Sequence, residues 1–474
     1  MRTRSTRFIA AVAILSVVPL AARSQTDASF KLSTTNPAAA AEFRAGMTDA
    51  QNVSFESATA HFKAAIDADP NFGLARVLYA STAPLDPTQL NTELNRGVID
   101  AARGTNNELI LAAAYREATL GHTDAANALF RAASQLIPAD PFIAWQVAGA
   151  FGAPLPVTRE FVTKYPNYPI GYNTLAYQAW AAGDKSAALA AAKRQVELLP
   201  NAPNPHDTYA ELLQWNGNFA DAAAHYQAAT TLSPRFPEAH AGLAEVAALQ
   251  GQYDQARAHL NQAIANAWSP QQKLGYMRQI VGTYALQGAP ADAITKALEA
   301  AIAQAKAQGD GISTAILYSQ LATVQANANN VNAAHQSLAT AKAASANAPY
   351  QVHYFGGVAH GLMKHWAPAG QELAALKAQA ATEPGTVPPD RVAALEGYLL
   401  TQQGKPADAL AILMKGDTTS VLIMNRVAEA HAALGHPAVA AAWNNRVNTN
   451  YALNLQDFTN VNSRRRAKQE TASR

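Results

Sequence analysis

The chain has 474 residues, a formal net charge of +2 and no cysteine. That charge offers no strong field for nucleic acid or an anionic membrane. The missing cysteines exclude disulfides, a thiolate nucleophile, Cys-ligated zinc or iron–sulfur centres, and the lipidated N-terminal cysteine of a bacterial lipoprotein. Apolar residues make up 49% and charged residues 15%, and much of the apolar share is alanine, the strongest helix former.

The first element in chain order is an export signal. Arg2, Arg4 and Arg7 make a basic start, and Phe8 to Ala22 is an apolar run broken only by Ser16 and Pro19. Ala22-Arg23-Ser24 then sets small residues at the −3 and −1 places of a cut before Gln25. This three-part order marks residues 1–24 as a secretory signal peptide. The apolar run is too short to span a bilayer comfortably, which takes about 20 residues. Losing it removes four arginines and no acid, which turns +2 into −2. The mature chain is expected to be periplasmic or secreted, with no integral membrane span after signal removal.

A linker, 25–38, precedes a repeat. Pro169, Pro203 and Pro237 open three blocks 34 residues apart. Ala176, Ala210 and Ala244 share one place, Gly183, Gly217 and Gly251 a second, and Ala188, Ala222 and Ala256 a third. The alanines let two antiparallel helices approach closely. The glycine supplies positive φ where the first helix stops. Tyr226 and Leu260 fill the space beside the small residues, and Ala229 and Ala263 face the next pair. Pro200 and Pro234 end the second helices, which proline cannot continue.

The same pattern recurs as Gly46, Ala58, Phe62, Ala65 and Pro70, and as Ala114, Ala126, Phe130, Ala133 and Pro138. It is looser in Val281, Gly288, Ala293, Ala297 and Ala300, then in Ala322, Ala334, Leu338 and Ala341, and in Gly357, Ala369 and Leu373. Gly397, Gly404, Ala409 and Leu413 follow, then Ala428, Gly435 and Ala440. Residues 73–106 lack the small-residue signature and 142–168 are short, with Pro154 and Pro156; both read as degenerate helix pairs. Breaks at Gln308–Gly311 and Glu383–Asp390 divide the chain into an N-terminal array, 39–311, and a degenerate C-terminal array, 312–455. Asn444, Asn445, Asn448, Asn450, Asn454 and Gln456 suit the polar outer face that a terminal array helix needs. Residues 456–474 form a polar, basic tail. Its Ser463–Lys468 cluster reads either as a contact for an anionic surface or, favoured, as a disordered solubilising end.

These places and residue types resemble the tetratricopeptide repeat family over roughly 39–454, and the chain is identified as an exported bacterial member. The resemblance implies an all-α fold, a right-handed α-solenoid of about 10–12 antiparallel helix pairs. It also implies a concave groove lined by the first helix of each repeat. Carried onto this chain, that groove holds Asn173, Tyr177 and Trp180, then Asn204, Asp207, Glu211 and Gln214, then Glu238 and Glu245. This aromatic, amide and acidic patch suits an extended peptide with basic or polar side chains. The basic residues with which the family holds C-terminal carboxylates are missing from these places. The fourth place, often tryptophan in the family, is Tyr172, His206 and His240. The two histidines serve either as a pH-sensitive pair or, favoured, as packing groups.

No nucleophile elbow, phosphate loop or dinucleotide fingerprint appears. Phe355-Gly356-Gly357 reads as close helix packing, and the i, i+4 pair Asp207 and Glu211 as a solvated stripe rather than an acid–base dyad. His353, His360 and His365 lie close in sequence, but no Asp or Glu stands among them and H-E-x-x-H is absent. They are expected to pack or face solvent rather than bind zinc. The reading is therefore a non-enzymatic protein–protein interaction scaffold of the cell envelope, with no catalytic residue, no cofactor, no metal and no nucleic acid. Its partner is a protein or peptide. The alternative is a structural subunit or accessory factor of an envelope enzyme or secretion complex.

Overall fold

The computed structural model describes residues 30–472, apart from 52–53, 138–139, 149–152, 346 and 384. The expected signal peptide, its cut and Pro138 lie outside the described residues. Among the described residues there are 25 helices and no strand, so the chain is all-α as expected. They are α1 (Pro37–Gln51), α2 (Phe55–Ala68), α3 (Gly73–Thr82), α4 (Pro87–Ala101), α5 (Asn106–Thr119), α6 (Thr123–Leu136), α7 (Pro141–Ala148), α8 (Leu155–Lys164), α9 (Pro169–Ala181), α10 (Lys185–Leu198), α11 (Pro203–Asn216) and α12 (Phe219–Leu232). Then come α13 (Pro237–Leu249), α14 (Tyr253–Ala265), α15 (Pro270–Gln287), α16 (Ala291–Ala307), α17 (Gly311–Asn327), α18 (Val331–Ala343), α19 (Tyr350–Leu362), α20 (Trp366–Thr382), α21 (Pro389–Gln402), α22 (Pro406–Leu413), α23 (Val421–Ala433), α24 (Pro437–Asn448) and α25 (Phe458–Ala472). In chain order they are successive helix–turn–helix pairs, with α25 left over. None is long and apolar enough to cross a membrane. The chain divides into two compact units between Gly242 and Leu243.

The repeat residues do the work their spacing implies. Pro169 and Pro203 stand in the first turn of α9 and α11, where proline's missing N–H costs nothing. Gly217 caps α11 at φ 90°, and Gly183 and Gly251 take the same left-handed geometry. Ala176, Ala188, Ala210 and Ala222 are fully buried. At Gly242 the fit is closer still: a Cβ there would sit 2.2 Å from the Tyr226 ring. The fourth-place residues share one task. Tyr172 Oη donates to the Pro166 carbonyl at 3.0 Å, His206 Nε2 meets that of Pro200 at 3.0 Å, and His240 Nε2 meets that of Pro234 at 3.3 Å. Each ties its helix to the preceding proline turn. The other nitrogen of His206 faces His225 Nδ1 at 3.0 Å.

Within the first unit, residues 73–106 fold as the pair α3–α4. Its small residues are present at shifted places: a Cβ on Gly73 would lie 2.1 Å from the Ala101 nitrogen, and one on Gly97 2.6 Å from the Val77 side chain. Residues 142–168 give the short helices α7 and α8, of 8 and 10 residues. The end of the expected linker is docked. Phe30 N donates to Asp140 Oδ2 at 2.7 Å and Ser33 N to Glu108 Oε1 at 2.9 Å.

Within the second unit, first helices pack on the next first helices, α17 on α19, α19 on α21 and α21 on α23. The turn at 308–311 joins α16 to α17, which pack together, with the Asp310 side chain capping Ser313 N at 2.9 Å. The C-terminal stretch corrects the expectation of a disordered basic end. It forms α25, which lies against α15, α23 and α24 and buries Phe458, Val461, Arg464 and Ala467. The Arg464 guanidinium is caged by backbone oxygens, donating to the carbonyls of Val447, Asn450 and Ala452. Burial lowers its pKa to about 10, with Glu245 and Asp457 opposing, so it stays charged at neutral pH. Arg391 Nη2 donates to Asp457 Oδ2 at 2.9 Å and fixes the start of the helix. Because α25 covers α24, Asn444 is buried and forms no outer face.

A Cβ on Gly282 of α15 would come within 2.0 Å of the Leu455 carbonyl oxygen, whereas one on Gly370 of α20 meets nothing. Gly282→Ala should therefore cost about 1–3 kcal/mol by overpacking and speed amide exchange in α25. Gly370→Ala should gain roughly 0.5–1 kcal/mol. Chemical denaturation with hydrogen exchange checks both, and equal effects would mean that the Leu455 segment leading into α25 does not dock on α15.

Candidate functional site

The proposed groove residues fall on α9, α11 and α13, first helices of successive pairs. A 34-residue repeat gives Tyr177 and Glu211 the same place one pair apart, and Tyr177 Oη donates to Glu211 Oε2 at 2.7 Å. Asn173 Nδ2 donates to Thr208 Oγ1 at 2.8 Å and reaches Gln195 Oε1 at 3.5 Å. Burial raises the pKa of the Tyr177 hydroxyl well above the usual phenol value, and the carboxylates of Glu211 and Asp207 push it further. Asn173, Tyr177, Asp207 and Glu211 thus form one half-buried polar group.

The other predicted residues are placed differently. Trp180 is buried, with its ring 5.6 Å from that of Trp215 and the Lys185 ammonium 5.1 Å from its centre. Gln214 is buried and accepts a hydrogen bond from Tyr226 Oη at 3.2 Å, inside the α11–α12 pair. Asn204 is buried and Glu238 half-buried. Glu245 is buried and lies in the second unit, where its charge favours the charged form of Arg464.

The second unit holds a recess of about 140 Å³ between first helices and α25. Tyr354, Tyr398, Arg426, Asn462, Arg465 and Arg466 line it. The Arg426 guanidinium lies 4.4 Å from the centre of the Tyr398 ring and donates to Glu429 Oε2 at 2.6 Å. Arg466 Nη1 lies 3.2 Å from Glu429 Oε1. Burial pushes the Glu429 pKa up, but the two arginines pull harder and the net direction is down. Burial also pushes the Tyr398 hydroxyl up to about 12. The hydroxyls of Tyr354 and Tyr398 and the Nε atoms of Arg426 and Arg466 are buried with no hydrogen-bond partner among the described residues. Buried donors of this kind cost free energy unless an acceptor meets them, so the recess can take a carboxylate or another acceptor-rich group. The sequence signal for it is Arg426, a charge inside the apolar stretch Val421–Ala428. Its partners Tyr354, Tyr398 and Arg466 lie far away along the chain.

The histidine trio of the sequence, His353, His360 and His365, does not assemble. His353 Nδ1 meets Glu372 Oε2 at 2.8 Å, and the same carboxylate holds Lys342 Nζ at 2.5 Å. His335 of α18 takes its place beside His360 and His365. The i, i+7 spacing of His353 and His360 puts them on one helix face, but His335 comes from the helix before.

The helices, their left-handed glycine turns and their buried alanines define a helix-pair repeat protein. The family model described as tetratricopeptide repeat matches residues 216–269, inside the stretch where the register is plainest, and that stretch carries the tetratricopeptide repeat. Three solved structures are similar to the chain, two over less than half of its length and one over most of it. A thermophilic TPR protein of Thermus thermophilus is 24% identical, with 36% of this chain and 96% of that one covered and a TM-score of 0.33. Pseudomonas aeruginosa pilF is 15% identical over 47% and 95% of the two chains, with a TM-score of 0.33. In the APC/C heterotetramer Cut9–Hcn1, a chain 14% identical aligns over 91% of this chain and 78% of its own, with a TM-score of 0.40. No curated protein matches the chain significantly.

Glu429 is the one carboxylate that both Arg426 and Arg466 contact among the described residues. Glu429→Gln should destabilise the chain by up to about 3 kcal/mol at pH 7, the low end for breaking a buried pair, since Glu429 keeps some solvent contact. Its folded pKa is lowered, so the contribution is complete above the unfolded value of about 4.3 and is lost as pH falls through the folded one. The gap between native and variant stabilities in denaturant should therefore close in acid. A gap that stays constant between about pH 7 and pH 3 contradicts the assignment.

Proposed function

We propose that this chain is an exported, non-enzymatic interaction scaffold of the cell envelope that takes an extended segment of a protein partner along α9 and α11. Tetratricopeptide repeats in general mediate protein–protein interaction. The observation that carries the reading here is the bond between Tyr177 and Glu211, one repeat apart, with Asp207 beside it. With the Asn173–Thr208 bond it makes two polar links between neighbouring first helices, and an extended chain can run along such a row. Asn173 supplies an amide able to bond a strand backbone, and the two acids select lysine, arginine or amide side chains. Export rests on the three-part order of residues 1–24.

The double substitution Asp207→Lys with Glu211→Lys tests the surface. Both residues are half-buried, so helix content by circular dichroism should hold while affinity for the partner captured from envelope extracts falls at least about tenfold, a loss of ~1.4 kcal/mol. Unchanged capture by a folded variant would move the site elsewhere. Sequencing the N-terminus of protein recovered from the envelope should give Gln25 as the first residue; a chain that begins at Met1 contradicts a cleaved signal.

A further inference from the structure

We propose that His335, His360 and His365 form a site for a divalent transition-metal ion of the zinc and copper class. The three come from neighbouring pieces of the repeat. His335 is the fifth residue of α18, His360 lies in the last turn of α19, and His365 is the residue just before α20. The turn between the last two is unusual. Where most left-handed turns of the array carry glycine, this one and that of Asn329 do not: Lys364 holds the left-handed conformation at φ 59°, which side chains with a Cβ disfavour. That turn brings His365 back over His360, with ring centres 6.2 Å apart, and α18 sets His335 against both, 5.8 Å from His360 and 5.2 Å from His365.

One ring nitrogen of each histidine lies within 4.8 Å of the other two, and His335 Nε2 is 3.2 Å from His365 Nδ1. Tetrahedral zinc bound at ~2.0–2.1 Å separates its nitrogen ligands by about 3.4 Å. Two of the three are thus already at ligand spacing, and the third closes by a side-chain rotation. His360 Nδ1 is buried and has no hydrogen-bond partner among the described residues; bare imidazole nitrogens of this kind are what a metal takes up. Three neutral nitrogen donors with no carboxylate select zinc, copper or nickel over magnesium or calcium, which need oxygen. The surrounding charge is mixed. Glu372 acts on His360 with a favourable sign for a cation and Lys342 with the opposite one, and the two are themselves paired. His335 is exposed, so the site opens to solvent and leaves a fourth position for water or a ligand from outside. Bound metal would pin the α19–α20 turn to the preceding helix pair, which couples two adjacent repeats.

The test uses the chain without a polyhistidine tag, stripped of metal by chelation. Isothermal titration with Zn²⁺ should give one ion per chain at micromolar or tighter affinity, unaffected by millimolar Mg²⁺. Cu²⁺ should quench the fluorescence of Trp366, next to His365. His335→Ala and His365→Ala should each weaken Zn²⁺ binding at least tenfold, while His353→Ala, which changes a histidine outside the trio, should bind as the native chain does. His335 is exposed, so its alanine variant keeps the comparison informative if another variant fails to fold. No saturable Zn²⁺ binding, or binding that survives His335→Ala at full affinity, or a loss on His353→Ala as large as on His335→Ala, would each overturn the site.

Discussion

The structure depends on how closely two helices are allowed to approach. Where Ala176, Ala188, Ala210 and Ala222 stand, the pairs close with nothing between them but methyl groups, and each is fully buried. Glycine takes over where a methyl is too large. Tyr226 lies against Gly242, Leu395 against Gly357 and Leu413 against Gly397, each within 2.7 Å of where a Cβ would be. A small residue on one helix thus makes the socket for a large one on its neighbour. At native packing density such a fit leaves no room for drift, so the register of one pair sets that of the next.

That rigidity also decides where polar groups can go. In each unit, first helices carry a group of polar side chains that have no apolar role. In the first unit these are Asn173, Tyr177, Asp207 and Glu211; in the second they are Tyr354, Tyr398, Arg426 and Glu429. Buried charge is expensive unless paired, and both units show the same remedy of partners drawn from another helix pair. Tyr177 bonds Glu211, and Arg426 shares Glu429 with Arg466 of the last helix. The recess around Tyr398 keeps donors in excess of acceptors, which is a feature of ligand sites more than of stable cores.

Much of this is legible in the sequence because it is local. The proline that opens a helix, the glycine that ends it and the alanines that face its neighbour all sit within 34 residues and follow helix geometry. The left-handed turns at Gly183, Gly217 and Gly251 fall where the spacing puts them. What stays hidden depends on distance along the chain. Ser463–Lys468 looks like a solvated basic end until Arg464 is seen caged by the carbonyls that end α24 and Arg466 is seen beside Glu429. His353 and His360 share a helix face, yet Glu372 claims the first, and His335 joins the second from a helix 25 positions earlier in sequence. Residues 73–106 show no small-residue signature at the usual places because Gly73 and Gly97 do that work from others. Trp180 and Gln214 belong to a groove by their place in the repeat, but their side chains turn into the packing beside Trp215 and Tyr226.

The central claim is that first-helix faces of this array hold a protein partner. A photoreactive phenylalanine analogue tests it most directly in intact cells, installed at Tyr177 on α9 in one strain and at exposed Gln227 on α12 in another. A crosslinked partner at position 177 and none at 227 is the predicted outcome. Crosslinks at 227 alone, or at both positions equally, would contradict it.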